Sequence, residues 1–217
     1  MTTNPFNLSK AMFVAVCFTV GCTGSGAMGC SGDGGPSASV DSSLIGIYDI
    51  DQYRGSPFDP QTGVPVPDSC DQLDDIPSLG AFLVIYSFVL NDNPDEARLG
   101  GAFCQNEDQC RTIAQTAEEP PIGYRFEQGS DATLWTGFAI ASQGASADQC
   151  TADVQTHTMT SGDNTISINT DTQETVFAPM VEGENATCSV RDALTSLTPE
   201  LPCKSRIVLD ATRSADL

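Results

Sequence analysis

Basic residues and histidine are scarce in this sequence. Its 217 residues include 9 Lys plus Arg against 29 Asp plus Glu, a formal net charge of -20, and a single histidine. A chain this acidic repels phosphate backbones, so the composition argues against nucleic-acid binding. With His157 as the sole imidazole, metal binding through combined Cys and His ligands is also disfavoured.

An apolar run long enough to cross a bilayer is missing as well. A transmembrane helix needs about 20 apolar residues, and the first apolar run, residues 11–20 (AMFVAVCFTV), is about half that long. This run follows the polar residues 1–9 and Lys10, an order typical of the n-region and h-region of a secretory signal. We therefore predict a signal peptide over residues 1–21 and an exported protein.

Two cysteines after the apolar run lie in sequences that resemble a bacterial lipobox, in which a small residue precedes a cysteine that receives lipid. Thr19-Val20-Gly21-Cys22 follows the h-region directly, and Ala27-Met28-Gly29-Cys30 comes next. The resemblance implies a lipoprotein anchored in a membrane of the bacterial cell envelope, at the periplasmic face or the cell surface, or otherwise a secreted protein. The h-region position favours lipidation of Cys22, whereas an even count of remaining cysteines favours Cys30.

The sequence downstream divides into a tether and one domain. Residues 22–42 are rich in Gly and Ser, a composition typical of a flexible linker. Residues 43–217 show no further boundary and no useful internal repeat, so we predict a single disulfide-stapled β domain there.

Strand patterns dominate this domain. Residues 44–53 alternate, with Tyr48 and Ile50 on one face and Asp49 and Asp51 on the other, which predicts a half-buried strand. Residues 190–197 are the best helix candidate. Further strands are predicted at residues 81–90, 99–104, 110–116, 124–127, 133–142, 150–160, 164–170 and 205–212.

These elements predict an all-β fold, an antiparallel β-barrel or sandwich of about eight strands with one short late helix. Gly46-Ile47-Tyr48, followed by a loop, meandering strands and a late helix, resembles the lipocalin-type barrel, with Tyr48 where lipocalins usually carry Trp. The resemblance implies a lipocalin-like barrel with a small apolar ligand inside it.

The cysteines contain no CxxC motif, which argues against a thioredoxin-like redox site. In an exported domain, the six from Cys70 onward are expected to form structural disulfides. Many pairings are open. We favour Cys104–Cys110 across a hairpin formed by residues 99–104 and 110–116, Cys188–Cys203 around the helix, and Cys70–Cys150 by elimination.

Catalytic patterns are weak. A Ser-His-Asp triad would have to use His157, but no GxSxG elbow is present, and an exposed strand histidine is the preferred interpretation. Glycoside hydrolysis uses a pair of carboxylates, but in so acidic a chain many such pairs are present and none is specific. The candidates are Asp49, Asp51, Asp74, Asp75, Glu118 and Glu119.

A calcium site is a weak alternative in the loop after residue 90. Asp92, Asp95 and Glu96 supply hard oxygen ligands there together with Asn91 and Asn93. The segment lacks EF-hand spacing, and Pro94 interrupts it, so a plain turn is preferred.

The sequence thus favours a non-enzymatic envelope lipoprotein without a cofactor or metal. Its expected partners are the membrane, through the N-terminal lipid, and a small apolar ligand or a protein. The alternatives are a secreted hydrolase using paired carboxylates and a calcium-dependent adhesion or structural module. Oligomeric state is left open.

Overall fold

The computed structural model describes residues 42–59, 61–62, 66, 70–90, 93–116, 123–128, 134–146, 148–180, 187–198 and 200–217. A 3-10 turn, Ser42–Leu44, comes first. The remaining elements are β1 Gly46–Gly55, β2 Asp74–Asp75, β3 Phe82–Leu90, β4 Asn93–Cys104, α1 Glu107–Thr116, β5 Tyr124–Gln128, β6 Leu134–Ala145, β7 Cys150–Ser161, β8 Thr165–Phe177, α2 Val190–Thr195 and β9 Cys203–Ala215.

The strands form a closed antiparallel barrel. The order in the sheet is β2-β1-β3-β4-β5-β6-β7-β8-β9, and β9 pairs back onto β1. The two-residue β2 adds to the end of β1, so eight strands close the barrel. The all-β prediction is therefore confirmed, and closure decides for a barrel over a sandwich.

The alternation predicted for β1 is confirmed. Tyr48 is buried and Asp49 is exposed. Tyr48 Oη donates a hydrogen bond to the carbonyl oxygen of the buried Leu44 at 2.9 Å. The turn before β1 thus packs against the core at this end of the barrel.

The barrel interior is filled by large side chains. Trp135, Phe126, Met159 and Leu209 are each at most 2% exposed and belong to one continuous apolar cluster. Because cores pack at crystal-like density, this cluster forms a packed core inside the barrel.

β3 is buried on both faces, as its unbroken apolar sequence predicts. Leu83 and Ile85 join the interior cluster, whereas Val84 and Phe88 belong to a second cluster that includes Cys110 of α1. Helix α1 therefore covers the outer face of this strand.

The hairpin predicted over residues 99–104 and 110–116 is wrong in its second half, which is helix α1. Asn106 caps the helix, since its side-chain oxygen accepts a hydrogen bond from the backbone N–H of Gln109 at 2.9 Å. Cys110, Ile113 and Ala114 then fall at helical spacing on the face that packs against the barrel. This cap and period outweigh the strand propensity of the local sequence. The late helix is confirmed as α2, with Ser189 as its N-cap.

Three disulfides staple the fold. Cys104–Cys110 is the pair expected. The other two preferred pairs, Cys188–Cys203 and Cys70–Cys150, are wrong, because the bridges are Cys70–Cys203 and Cys150–Cys188.

Barrel topology explains these two bridges. The backbone N–H of Ser56, just after β1, donates to the carbonyl of Arg206 in β9 at 2.8 Å, so the β1–β3 connection starts beside the start of β9. Cys150 pairs in register with Phe177 at the end of β8. The β8–β9 connection therefore starts beside Cys150, and Cys188 in this connection is bonded to Cys150. Closeness in the sequence did not predict these two bridges. The cysteines of each bridge are brought together by strand pairing, β9 with β1 for one bridge and β7 with β8 for the other.

Candidate functional site

All six cysteines of the described domain lie at one end of the barrel. In an up-and-down antiparallel order, the β1–β3, β4–β5, β6–β7 and β8–β9 connections emerge at the same end. The six cysteines lie in these connections or at the strand ends that adjoin them. We call this end, with its connections, the disulfide end.

An ion-pair cluster lies at the disulfide end. Lys204 Nζ lies 2.7 Å from Asp153 Oδ1 and 3.3 Å from Glu174 Oε2, and Ser142 Oγ donates to Asp153 Oδ2 at 2.9 Å. The β8–β9 register shifts between Thr172 and Gln173, and such an irregularity re-aims nearby side chains.

Lys204 is held as a cation. Partial burial acts to lower its pKa, but the hydrogen bonds and charges of Asp153 and Glu174 outweigh burial and raise the pKa above its ordinary value. A lysine in this state stabilises the two carboxylates and is a poor nucleophile or base at neutral pH.

Deeper in the barrel, His157 belongs to a neutral polar layer. It is 4% exposed, its Nδ1 lies 3.0 Å from Thr170 Oγ1, and its ring meets that of Tyr124 edge-on at 5.1 Å. Burial lowers the pKa of His157 to about 4, so the ring is neutral at pH 7. Burial, followed by the nearby Tyr53, raises the pKa of Tyr124.

The expectation of an exposed His157 is therefore wrong. His157 shares the inward face of β7 with the fully buried Met159, and it pairs in register with Gly137 of β6. The apolar Met159 two positions away was the sequence signal for this burial. Because His157 contacts a hydroxyl and a phenol ring, its surroundings differ from the carboxylate-oriented histidine of a catalytic triad.

Below this layer lies Trp135, whose indole nitrogen is one of five buried side-chain polar atoms without a hydrogen-bond partner among the described residues. Trp135 Nε1 makes no hydrogen bond within the described part of the chain. Such a donor costs about 1–3 kcal/mol relative to a satisfied one. The indole is thus held by packing against the cluster rather than by its N–H.

The candidate carboxylates lie on the outside of the molecule. Asp49 and Asp51 are exposed on β1, and Asp74 and Asp75 are exposed in β2. Glu118 and Glu119 lie outside the described residues.

A shallow depression of about 380 Å³ on the barrel wall does include two carboxylates, Asp51 and Asp210. Both are engaged, because Thr212 Oγ1 donates to Asp51 at 2.7 Å and Arg54 contacts Asp210 at 2.9 Å. These contacts give each of them a structural role in the barrel wall.

The calcium candidate falls only partly on described residues. Asn91 and Asp92 lie outside them, and Asp95 and Glu96 belong to β4 at positions whose side chains are not described. Within the described ranges, no group of three or more His, Cys, Asp or Glu is placed to hold a metal ion. The calcium site stays a prediction.

Both lipidation candidates, Cys22 and Cys30, precede residue 42 and lie outside the described residues, so lipidation also stays a prediction. Among the helices that are described, none combines the length and apolar character that a membrane crossing requires. The three disulfides are compatible with an extracellular or envelope location.

Comparison with protein-family models, with curated proteins and with solved structures gives no match for this chain.

The disulfide end also carries most of the exposed apolar surface. Among the described residues, seven large hydrophobic side chains are exposed, and five of them lie at this end with exposures between 38% and 68%. They are Phe58, Val66, Leu79, Val176 and Met180. Phe138, on the barrel wall, and Leu217 are the other two. Sequence reasoning missed this surface, because the residues are scattered between positions 58 and 180.

Proposed function

We propose that the chain is an exported, lipid-anchored and non-enzymatic binding protein of the bacterial cell envelope, and that its disulfide end binds a protein partner. The supporting observation is that the disulfides and most of the exposed apolar side chains coincide at one end of the barrel. Exposed apolar patches on small soluble domains mark interaction sites.

The packed interior favours this surface over a ligand inside the barrel. Trp135, Phe126 and Met159 are each at most 2% exposed within the cluster, and a ligand would have to displace such side chains. Large side chains lost from a core cost about 2–5 kcal/mol each, which a small apolar ligand would have to offset.

Disulfides suit a binding surface made of loops. Each bridge fixes a connection to the end residue of a strand, so less conformational freedom remains to be lost on binding. Bridges of this kind form and persist in oxidising compartments, which agrees with export by the predicted leader.

The anchor is tested by metabolic labelling of the full chain with an alkyne fatty acid. We expect label on the exported protein and its loss in Cys22→Ser, whereas Cys30→Ser keeps it. Label lost only in Cys30→Ser would move the anchor to Cys30, and an unlabelled exported protein would overturn the lipoprotein.

The binding surface is tested by photo-crosslinking in the producing cell. A benzophenone amino acid replaces Leu79 or Met180 at the disulfide end, or Phe138 on the barrel wall as the matched exposed control. We expect a discrete protein adduct from the first two positions and none from Phe138. Adducts from Phe138 alone would place the interface elsewhere and overturn the proposal.

A further inference from the structure

The exposed apolar side chains at the disulfide end lie beside the bridges themselves. Met180 donates its backbone N–H to the Thr187 carbonyl at 2.8 Å, and Thr187 precedes Cys188 of the Cys150–Cys188 bridge. Val176 immediately precedes Phe177, which pairs in register with Cys150. The bridge therefore holds both apolar residues close to one strand end.

Leu79 is held beside the Cys104–Cys110 bridge. Its carbonyl accepts a hydrogen bond from Gln105 Nε2 at 3.0 Å. The following Gly80 packs so closely that a Cβ there would lie 2.6 Å from the Cys104 carbonyl oxygen. Only glycine fits this approach, which fixes Leu79 in place next to the bridge.

Phe58 lies near the remaining bridge. Phe58 lies two positions after Ser56, and Ser56 makes two hydrogen bonds of 2.8 Å with Arg206 of β9. Arg206 lies three positions after Cys203 of the Cys70–Cys203 bridge. Neighbouring strands are about 4.8 Å apart, so Phe58 lies close to the start of β9. Each bridge thus has at least one exposed apolar side chain beside it.

The charge around these side chains is negative. The acids are spread over the same connections, and the side chain of Asp71, next to Cys70, is 96% exposed. Among the described residues, the other exposed acids of the disulfide end are Asp74, Asp75, Glu107, Asp108, Asp148, Glu174 and Glu200.

The basic side chains of this end are mostly neutralised by the chain itself. Lys204 is held by Asp153 and Glu174, and Arg206 is held by Asp171 at 2.6 Å and approached by Asp71. Arg111 on α1 lies 3.6 Å from Glu107, and Arg54 near the end of β1 lies 2.9 Å from Asp210. Arg191 on α2 is a further basic residue at this end. A partner therefore meets apolar side chains surrounded by net negative charge, within a chain whose overall charge is -20.

We infer that the disulfide end binds a positively charged polypeptide segment that inserts apolar side chains between its acidic residues. This inference rests on the proposed function and names its partner class. Lys or Arg on the partner complements the acids, and the apolar side chains on both sides supply the buried centre. An acidic partner or an anionic surface would be repelled.

The test uses the exported full chain and synthetic peptides of equal length, measured by fluorescence anisotropy. One peptide has equal numbers of Lys and Leu, the second has Lys and Ser, and the third has Glu and Leu. We expect the Lys–Leu peptide to bind about tenfold more tightly than Lys–Ser, to weaken as salt rises, and Glu–Leu not to bind. Equal affinities of the Lys–Leu and Lys–Ser peptides would show that net charge alone drives binding and would overturn the inference.

Matched variants locate the binding. Leu79→Ser with Met180→Ser should weaken Lys–Leu binding about tenfold, whereas Phe138→Ser on the barrel wall should not change it. Asp74→Asn with Asp75→Asn should weaken it more than Asp49→Asn with Asp163→Asn, which removes two exposed acids elsewhere. Equal effects of the control variants would overturn the inference.

The photo-crosslinking experiment separates the two proposals. An acidic partner captured at Leu79 and Met180 would overturn this inference alone. Adducts formed only at Phe138 would overturn the proposed function with it.

Discussion

Cys70, in the β1–β3 connection, is bonded to Cys203, the first residue of β9, across 133 positions of sequence. The bond closes a loop that contains most of the barrel, and it spans the seam at which β9 pairs back onto β1. Closure of the barrel and closure of the longest covalent loop therefore coincide.

Removing this bridge should destabilise the protein strongly. In the chain-entropy model, a loop of this length contributes about 4–5 kcal/mol and the Cys104–Cys110 loop about 2 kcal/mol. We expect Cys70→Ala with Cys203→Ala to lower the free energy of unfolding in urea by more than Cys104→Ala with Cys110→Ala. The reverse order would mean that local packing at α1, not restriction of the unfolded chain, dominates.

Acid should destabilise the fold through His157. Its pKa is about 4 in the folded protein and near its ordinary 6.5 in the unfolded chain, so between these values the unfolded chain binds more protons. Stability should thus fall as pH drops from about 6.5 to 4, by about 3 kcal/mol from this group.

The variant His157→Gln keeps a hydrogen-bonding side chain but does not titrate in this range. Urea unfolding of both proteins at pH 7, 6, 5 and 4 isolates the histidine, because the carboxylates titrate in both. We expect a shallower decline in His157→Gln. Parallel declines would show that His157 is accessible to protons in the folded state.

Local pattern was sufficient for much of the fold. Alternation predicted β1, and the strands predicted at residues 150–160 and 164–170 are confirmed as β7 and β8, whose register begins at Ser161 and Ile166. Closure was not predictable, because the pairing of Tyr53 with Leu209 joins strands from opposite ends of the domain. Nothing in either segment alone distinguishes a barrel from a sandwich.

The candidate site depended on tertiary neighbours. His157 is buried against Thr170 of β8 and Tyr124 of β5, which are distant from it in the sequence or lie on other strands. The Lys204 cluster requires residues from three strands, and the Cys150–Cys188 bridge requires the register of β7 with β8. Helix α1 was missed for a local reason, because the strand prediction at residues 110–116 overlooked the Asn106 cap and the helical spacing of Cys110, Ile113 and Ala114.

Lys204 should stabilise the disulfide end, because its positive charge offsets the repulsion between the carboxylates of Asp153 and Glu174. Asp153 and Glu174 pair directly across β7 and β8, where facing carboxylates repel each other. We expect Lys204→Met to cost about 1 kcal/mol, discounted for the partial exposure of the cluster, and more at low salt than at high salt.

Adding Glu174→Gln should restore most of the stability lost in Lys204→Met, since only Asp153 then remains charged. Arg111→Met is the control, because Arg111 makes only exposed contacts, with Glu107 at 3.6 Å within one helix and with the backbone carbonyl of Asp216 at 2.8 Å. Loss of the helix pair should cost about 0.3–0.5 kcal/mol. A double variant as unstable as Lys204→Met would assign the loss to the packing of the lysine stem.

Trp135 should tolerate replacement by phenylalanine better than its burial suggests. The indole is 2% exposed, and its Nε1 has no partner in the described part of the protein, so removing the donor offsets part of the lost packing. We expect Trp135→Phe to lower the free energy of unfolding by about 1 kcal/mol and Trp135→Ala by about 3–5 kcal/mol. Phe126→Ala, in the same cluster, should match the larger value.

Far-UV circular dichroism in urea measures all three variants, because the chain has one tryptophan and its fluorescence is lost when Trp135 is replaced. If Trp135→Phe cost as much as Trp135→Ala, the indole N–H would have to make a strong internal hydrogen bond.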